Sequence, residues 1–407
     1  MSEAASLYTA VAPTATYREI MQQPDVWREV ARIVRTRRAA LGDFLTPLLA
    51  REDLRIVLTG AGTSAFIGTI AAPAIGARTG RRVDAVATTD LVSHPGAYVQ
   101  PDVPTLLVSF ARSGDSPEST AATELADRLL GEVSHLIVTC NPDGALNRVH
   151  AARPGSFVLL MPARSNDEGF AMTSSFTSML LSVLLAFRGD DDAAVDALAA
   201  SIERMLAQES LIAALADPVP QRVVYLGGGP LIGLARESAL KLLELTAGRV
   251  VAYFDSSLGF RHGPKAVLDE YSVAVVYRSS DPYSAAYDED IVRELRASLG
   301  HDRVLTVSAG TAGQEASHGP TDWVLAGVDA LDDAYLAPAY VVFAQLLALY
   351  CSAALGLAPD NPFPGGDVNR VVKGVTIHPL ATAPDTADTT DAPDTADADA
   401  RATGLRA

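Results

Sequence analysis

The hydrophobic pattern changes period repeatedly along the chain. Four short runs rich in apolar and β-branched residues, Ile56–Thr59, Thr105–Phe110, His135–Thr139 and Phe157–Leu160, have strand character. Longer helical stretches, about Ser64–Thr79, Pro117–Leu130 and Thr173–Phe187, lie between or after them. A second series begins at Val223–Leu226 and continues through Val250–Phe254, Val273–Tyr277, Val304–Val307 and Trp323–Leu325 to a last long helix, Pro338–Leu355. Such alternation predicts an α/β fold of parallel strands joined by right-handed helical crossovers. Each series opens on the same device, a strand, a small-residue turn and a helix: IVLTGAGTSAF in the first, VVYLGGGPLIG in the second. We read this as an internal duplication of one doubly wound, flavodoxin-like unit, with a period too long for a solenoid.

The flanks read differently. Helical periodicity runs from about Thr16 to Leu49, where Thr16 and Glu19 fit a capping box and Pro24 breaks or kinks the helix. The alanine-rich stretch from Asp196 to Asp217 predicts a helical bridge between the copies. From about Ala381 the chain repeats APDTAD without aliphatic periodicity, and such an acidic segment cannot bury enough surface to offset its ordering entropy. The expected organisation is a helical segment 1–50, a first unit 51–195, a linker helix 196–217, a second unit 218–380 and a disordered tail 381–407.

Composition sharpens this picture. A chain of 407 residues suits two domains that each bury a core, and 48% hydrophobic with only 6% aromatic residues suits strands buried on both faces. The net charge of −17 argues against nucleic acid or an anionic membrane as a partner. It leaves room for an anionic substrate held by backbone N–H groups and hydroxyls. The two cysteines, Cys140 and Cys351, form no CxxC pair, and none of the seven histidines has metal-ligand spacing, so neither a metal nor another cofactor is expected. The N-terminus has no secretory character and no apolar run reaches the ~18 residues of a membrane span, so a cytoplasmic protein is expected.

Candidate chemistry lies at the strand ends. Gly60-Ala61-Gly62-Thr63-Ser64 places small residues between a strand and a helix, where N–H groups can approach an anion. It is not a dinucleotide fingerprint, because Ala65 stands where the third glycine would be. The next strand ends in SFARSGDSPES, with four serines and Arg112 at the sheet edge where ligands bind in open α/β folds. Helix capping by Ser116 explains part of this cluster but not Arg112 and Ser113; a phosphate cradle explains them all. Downstream, the helix LIGLARESALKLLELTAG is apolar nearly all round, yet Glu237, Lys241 and Glu244 fall on one face. Spacing of this kind is ordinary i,i+4 pairing on a solvated helix; on a buried one it points to function. His262, in GFRHGPK, has basic neighbours on both sides, but taken by itself it reads first as a surface-loop histidine.

Taken in order, EIMQQPDVW, TGAGTSAFIG, SFARSGDSPEST, CNPDGAL, AMTSSFTSM, LARESALKLLELTAG, GFRHGPK and SSDPY resemble the sugar isomerase (SIS) superfamily. Within it they are most similar to galactosamine-6-phosphate deaminase/isomerases, also called tagatose-6-phosphate ketose/aldose isomerases. The resemblance implies two tandem SIS domains and a 6-phosphorylated amino sugar as substrate. It also implies a homo-oligomer with the active site near a subunit interface. By likeness to the isomerase half of glucosamine-6-phosphate synthase, Glu244 is the catalytic base, and Lys241 and Glu237 match its companions. His262 matches a ring-opening histidine contributed by the neighbouring subunit, and Lys373, in VVKGVTIHPL, a lysine that closes the site. Gly62, Thr63, Ser64, Ser113 and Ser116, with Arg112, fall on the phosphate site. Ala111 and Arg112 stand where the synthase has Ser and Gln, which implies a phosphate loop rebuilt around the guanidinium. The rival readings are a plain isomerase of a non-aminated sugar phosphate and a non-catalytic sugar-phosphate sensor. The joint presence of Glu244, His262 and Lys373 favours an enzyme over the sensor.

Overall fold

A computed structural model describes residues 3–189, 191–314, 321–372 and 374–380; Lys373 and the acidic tail 381–407 lie outside the described residues. Two separate sheets of five parallel strands form the frame. The first contains β1 (Arg55–Thr59), β2 (Arg82–Ala85), β3 (Thr105–Ala111), β4 (Val133–Thr139) and β5 (Ser156–Leu160), in the order β2-β1-β3-β4-β5. The second contains β6 (Arg222–Leu226), β7 (Val251–Asp255), β8 (Ser272–Tyr277), β9 (Val304–Gly310) and β10 (Asp322–Ala326), in the order β10-β9-β8-β6-β7. Counted within each unit, both sheets run 2-1-3-4-5, so the duplication read from the sequence is a duplication of topology. Strands β1 and β3 are buried throughout, as expected of central strands covered by helices on both faces. Strand β2 gives no apolar signal because it is a short, partly exposed edge built from Arg-Val-Asp-Ala.

The order 2-1-3 puts a topological switch point between the first and third strands of each unit, and a crevice opens there at the strands' C-terminal ends. The helices that follow the first strand of each unit, Thr63–Thr79 and Leu231–Leu245, lie against each other and join the two halves. Gly233 permits the approach. A Cβ built there would stand 2.8 Å from Cγ1 of Ile70 and 3.2 Å from its backbone nitrogen. The last helix, Asp333–Ala354, runs behind both and is buried almost end to end.

Three sequence expectations are corrected. Thr16 and Glu19 do not form a capping box: the helix Ala15–Met21 is capped by Thr14, whose Oγ1 accepts from the Tyr17 N–H at 3.1 Å. Thr16 instead donates its hydroxyl to Asp360, and Glu19 accepts from the Gly169 N–H. The bridge between the copies is two helices, Asp192–Leu206 and Glu209–Ala214, not one. Finally, Asp333–Ala354 is long and apolar enough to span a membrane, contrary to the run-length reading, which tyrosines, Gln345 and Ser352 had broken up; 94% of its most apolar window is buried inside the fold. Its Gln345 Oε1 accepts from Gln23 Nε2 at 2.8 Å, a polar tie fitting a core helix. Pro24 breaks the N-terminal helical stretch as expected, sitting in the first turn of Gln23–Thr36.

Because the Gly233 contact includes backbone, it has little room to yield. Gly233→Val is expected to lower unfolding stability by about 1–3 kcal/mol through overpacking, read as a shift of the urea midpoint at unchanged m-value.

Candidate active site

The crevice of the first unit is lined by the two loops singled out in the sequence. After β1, Gly62 takes a positive φ of 55° that turns the chain into the helix Thr63–Thr79. Gly60 must be glycine for closeness rather than for φ, since a Cβ there would meet the Ser64 backbone at 2.6 Å. Ser64 is buried, with its N–H given to Ala61 O and its hydroxyl directed at the Met172 sulfur 3.9 Å away. After β3, Gly114 turns at φ 69°, and the N–H groups of Ser113 and Gly114 find no acceptor among the described residues. Ser116 begins the helix Pro117–Leu129 and shares a 2.6 Å hydrogen bond with the Ser119 hydroxyl. Two free N–H groups, three hydroxyls and a helix N-terminus thus converge at one strand end, a donor set matched to phosphate oxygens.

This loop is braced from behind. Asn141 Nδ2 donates to Ser113 O at 2.9 Å, the Leu146 N–H to Gly114 O at 3.1 Å, and the Ala145 N–H to Asp115 Oδ1 at 2.9 Å. Gly144 lies so close to Ser113 O that a Cβ would approach it to 2.4 Å. The Asn-Pro-Asp-Gly segment is therefore a support for the anion loop. Arg112 occupies an unexpected position: the residue is only 7% exposed and its guanidinium donates to the carbonyls of Phe170 and Arg370, at 3.2 and 2.8 Å. Burial, then the nearby Arg370 charge, lower its pKa, while Asp167 and Glu244 act the other way. The hydrogen bonds its terminal nitrogens make all go to main-chain oxygens.

From the second unit the helix Leu231–Leu245 delivers its charged stripe to the same place. Lys241 and Glu237 are fully buried, and Glu244 is partly exposed at the helix end. Lys241 Nζ lies 2.6 Å from Glu244 Oε2 and 3.5 Å from Glu237 Oε1, and it donates to Thr63 Oγ1 at 3.1 Å. Burial disfavours the ammonium, but the two carboxylates outweigh it and the Lys241 pKa is raised. Burial pushes Glu237 up to about 8, even with Lys241 pulling it down. A buried triad of this kind is a poor device for stability, since desolvating the charges costs about as much as pairing them returns. A donor cradle for an anion and a carboxylate–ammonium pair thus meet across the contact between the units, an arrangement able to hold a phosphorylated substrate and move a proton on it.

The SIS domain family model matches residues 48–188, the first unit. An AgaS-type protein of Streptomyces coelicolor is 59% identical over 373 residues, covering 90% of this chain and 95% of its own. The D-galactosamine-6-phosphate deaminase AgaS of Shewanella sp. strain ANA-3 is 42% identical over 368 residues, 90% of this chain and 92% of that protein. This chain belongs to the SIS family of these relatives. Among solved structures, the tagatose-6-phosphate ketose/aldose isomerase from Escherichia coli superposes with a TM-score of 0.82 at 41% identity, covering 92% of this chain and 98% of that one.

The remaining SIS-type motifs divide between site and scaffold. His262 stands exposed beyond a single 3-10 turn; its N–H donates to Gly259 O, and its imidazole has no hydrogen bond among the described residues. Its basic neighbours Arg261 and Lys265 are both tied to Glu294. Within one chain, His262 is therefore a free imidazole on the surface rather than part of the buried triad. In EIMQQPDVW and AMTSSFTSM, Gln23 Oε1 accepts from the Thr177 hydroxyl at 2.8 Å and Trp27 Nε1 donates to Thr177 at 3.0 Å, so these motifs lock scaffold elements together. Sequence reasoning missed Asp167, which accepts from the N–H groups of Thr173 and Ser175 and fixes the loop behind Ser64. Its only signal was a carboxylate shortly before a helix start.

The second unit carries the matching crevice, a cavity of about 410 Å³ lined by Gly228, Gly229, Ser257, Ser279, Asp288 and Asp333. Here the chain's own carboxylates take up the donors: Asp288 accepts from the Ser279 N–H and the Ser257 hydroxyl, and Asp333 from the Ser280 N–H and the Ser279 hydroxyl.

The raised Glu237 gives a pH signature. Between its ordinary value of 4.5 and about 8 the folded state holds a proton that the unfolded state has released. Its contribution is therefore fully present at low pH and lost as pH rises through 8. The stability of the native protein relative to Glu237→Gln should fall across this window by up to about 1.4 kcal/mol per pH unit, measured by urea unfolding at stepped pH.

Proposed function

We propose that the protein converts galactosamine-6-phosphate to tagatose-6-phosphate and ammonia. The observation that carries the reading is the Glu244 carboxylate, partly open to the crevice and held at 2.6 Å by a fully buried lysine beside an anion cradle. In this reading the phosphate rests on Ser64, Ser113, Ser116 and the N–H groups of Gly62, Thr63 and Gly114. Glu244 removes the C2 proton of the open-chain sugar and returns a proton to C1. The enolamine so formed becomes a C2 ketimine; water adds to it, and ammonia leaves as the C2 ketone forms. Lys241 and Lys373 offset the negative charge that develops on oxygen, and Glu237 sets the electrostatic surroundings of Lys241. His262 relays the proton that opens the pyranose, acting from a neighbouring subunit of a homo-oligomer; its exposure and freedom from partners support that placement. The names of the Shewanella relative and of the Escherichia coli structure, one a deaminase and one a ketose/aldose isomerase, support the substrate class and mark plain isomerisation as the second reading.

Incubation with galactosamine-6-phosphate should give ammonia and tagatose-6-phosphate in equal amounts, and Glu244→Gln should cut the rate about 10²–10⁴-fold at unaltered fold. Interconversion of tagatose-6-phosphate with an aldose phosphate, without ammonia, would move the protein to the second reading. Binding without either reaction would make it a sensor.

The shared-site arrangement has its own test. Glu244→Gln and His262→Ala proteins, each nearly inactive, should regain activity when dissociated together and reassembled, because some sites then receive a native residue from each chain. Absence of recovery in confirmed mixed oligomers would place both residues in one chain's site.

A further inference from the structure

Arg112 is a cation whose hydrogen bonds go to neutral groups. Nη1 lies 3.2 Å from Phe170 O and 3.5 Å from Gly169 O, and Nη2 lies 2.8 Å from Arg370 O. A guanidinium this deeply buried normally faces a carboxylate. Asp167 and Glu244 instead act on its charge without hydrogen-bonding to it. The accepting carbonyls belong to two separate segments, the loop 167–172 and the C-terminal stretch after the last helix.

The two segments also hold each other. Arg370 Nε donates to Gly169 O at 3.2 Å and its Nη2 to Asp167 O, so Gly169 O receives both arginines. Phe363 meets Phe170 at a ring-centroid distance of 5.2 Å, and farther along Arg128 donates to Leu380 O at 3.4 Å. The loop side of this clasp is rigid: Glu19 accepts the N–H groups of Glu168 and Gly169, and Asp167 caps the following helix. The C-terminal side is exposed at residues 365–370. Arg112 directly precedes Ser113 and Gly114, whose N–H groups are unclaimed, so the same residue borders the anion cradle and the clasp.

We propose that Arg112 is a positioning residue that anchors the C-terminal segment at Arg370 to the phosphate-binding end of β3, coupling the clasp to occupancy of the cradle. Nothing hydrogen-bonded to this guanidinium neutralises it, so a phosphate dianion arriving one residue away favours the clasped form. By linkage, the clasped form must then bind phosphate more tightly. The identity of the sugar rests on the function proposed above; the coupling does not.

The test follows cleavage of residues 364–372 in the full chain by a broad-specificity protease, read by mass spectrometry. It is run with and without inorganic phosphate or galactosamine-6-phosphate, and KM and kcat are measured alongside. Saturating phosphate should slow cleavage of the native protein by about fivefold or more. Arg112→Gln, and separately Arg370→Ala at an exposed position that leaves the core intact, should abolish that protection and raise KM while changing kcat less. The double variant should be no worse than either single one. A higher KM in Arg112→Gln with native cleavage, and native behaviour of Arg370→Ala, would overturn the proposal in favour of direct phosphate contact. Faster cleavage with unchanged KM and no phosphate effect on the native protein would reduce Arg112 to a scaffold role. If the native protein turns over no galactosamine-6-phosphate, the proposed function fails, while inorganic phosphate still decides the coupling.

Discussion

A lysine without access to water must have its charge answered by its neighbours, and Lys241 sets this condition on both halves of the protein. Its carboxylate partners come from its own helix, but the Thr63 hydroxyl comes from the other unit, from the first residue of the helix behind the anion cradle. The two helices must therefore meet at a fixed depth and rotation. Gly233 on one and Thr69 and Ile70 on the other set that depth, and the buried last helix backs the pair. A shift of an ångström between the helices would break the Thr63 contact and leave one ammonium proton unanswered, so packing far from the crevice is tuned to a charge inside it.

Around this pair the two copies of the unit have taken different chemistry at the same place in the fold. In the first, the N–H groups after the third strand are open and the loop is held from outside by Asn141 and the Ala145 N–H. In the second, Asp288 and Asp333 fill the corresponding donors. Because Asp333 begins the last helix, one crevice leaves its donors open while the other uses them to fasten the core.

Much of this was legible in the sequence. The central strands and their duplication stood out because a strand covered on both faces must be almost continuously apolar, and the stripe Glu237-Lys241-Glu244 stood out because it lies on such a helix. What the sequence concealed were interactions joining distant segments. Thr16 and Glu19 have capping-box spacing, yet Asp360 and Gly169 claim them from more than a hundred residues away. Arg112 has the chemistry of a phosphate ligand, and only three-dimensional proximity reveals that carbonyls at 170 and 370 occupy it. Local pattern reports what a residue can do; competition among distant partners decides what it does.

The meeting of Thr63–Thr79 with Leu231–Leu245 bears on how such a protein could have arisen. The anion-cradle donors belong to the first repeat and the Lys241–Glu244 pair to the second, so the candidate site draws on both. An ancestral single unit could have joined the two only by pairing with another copy of itself through this same helix face. Joined in one chain, two such units need no association step, and each can differ at the place the other serves. The contact between the repeats thus has the form of a subunit boundary turned inward.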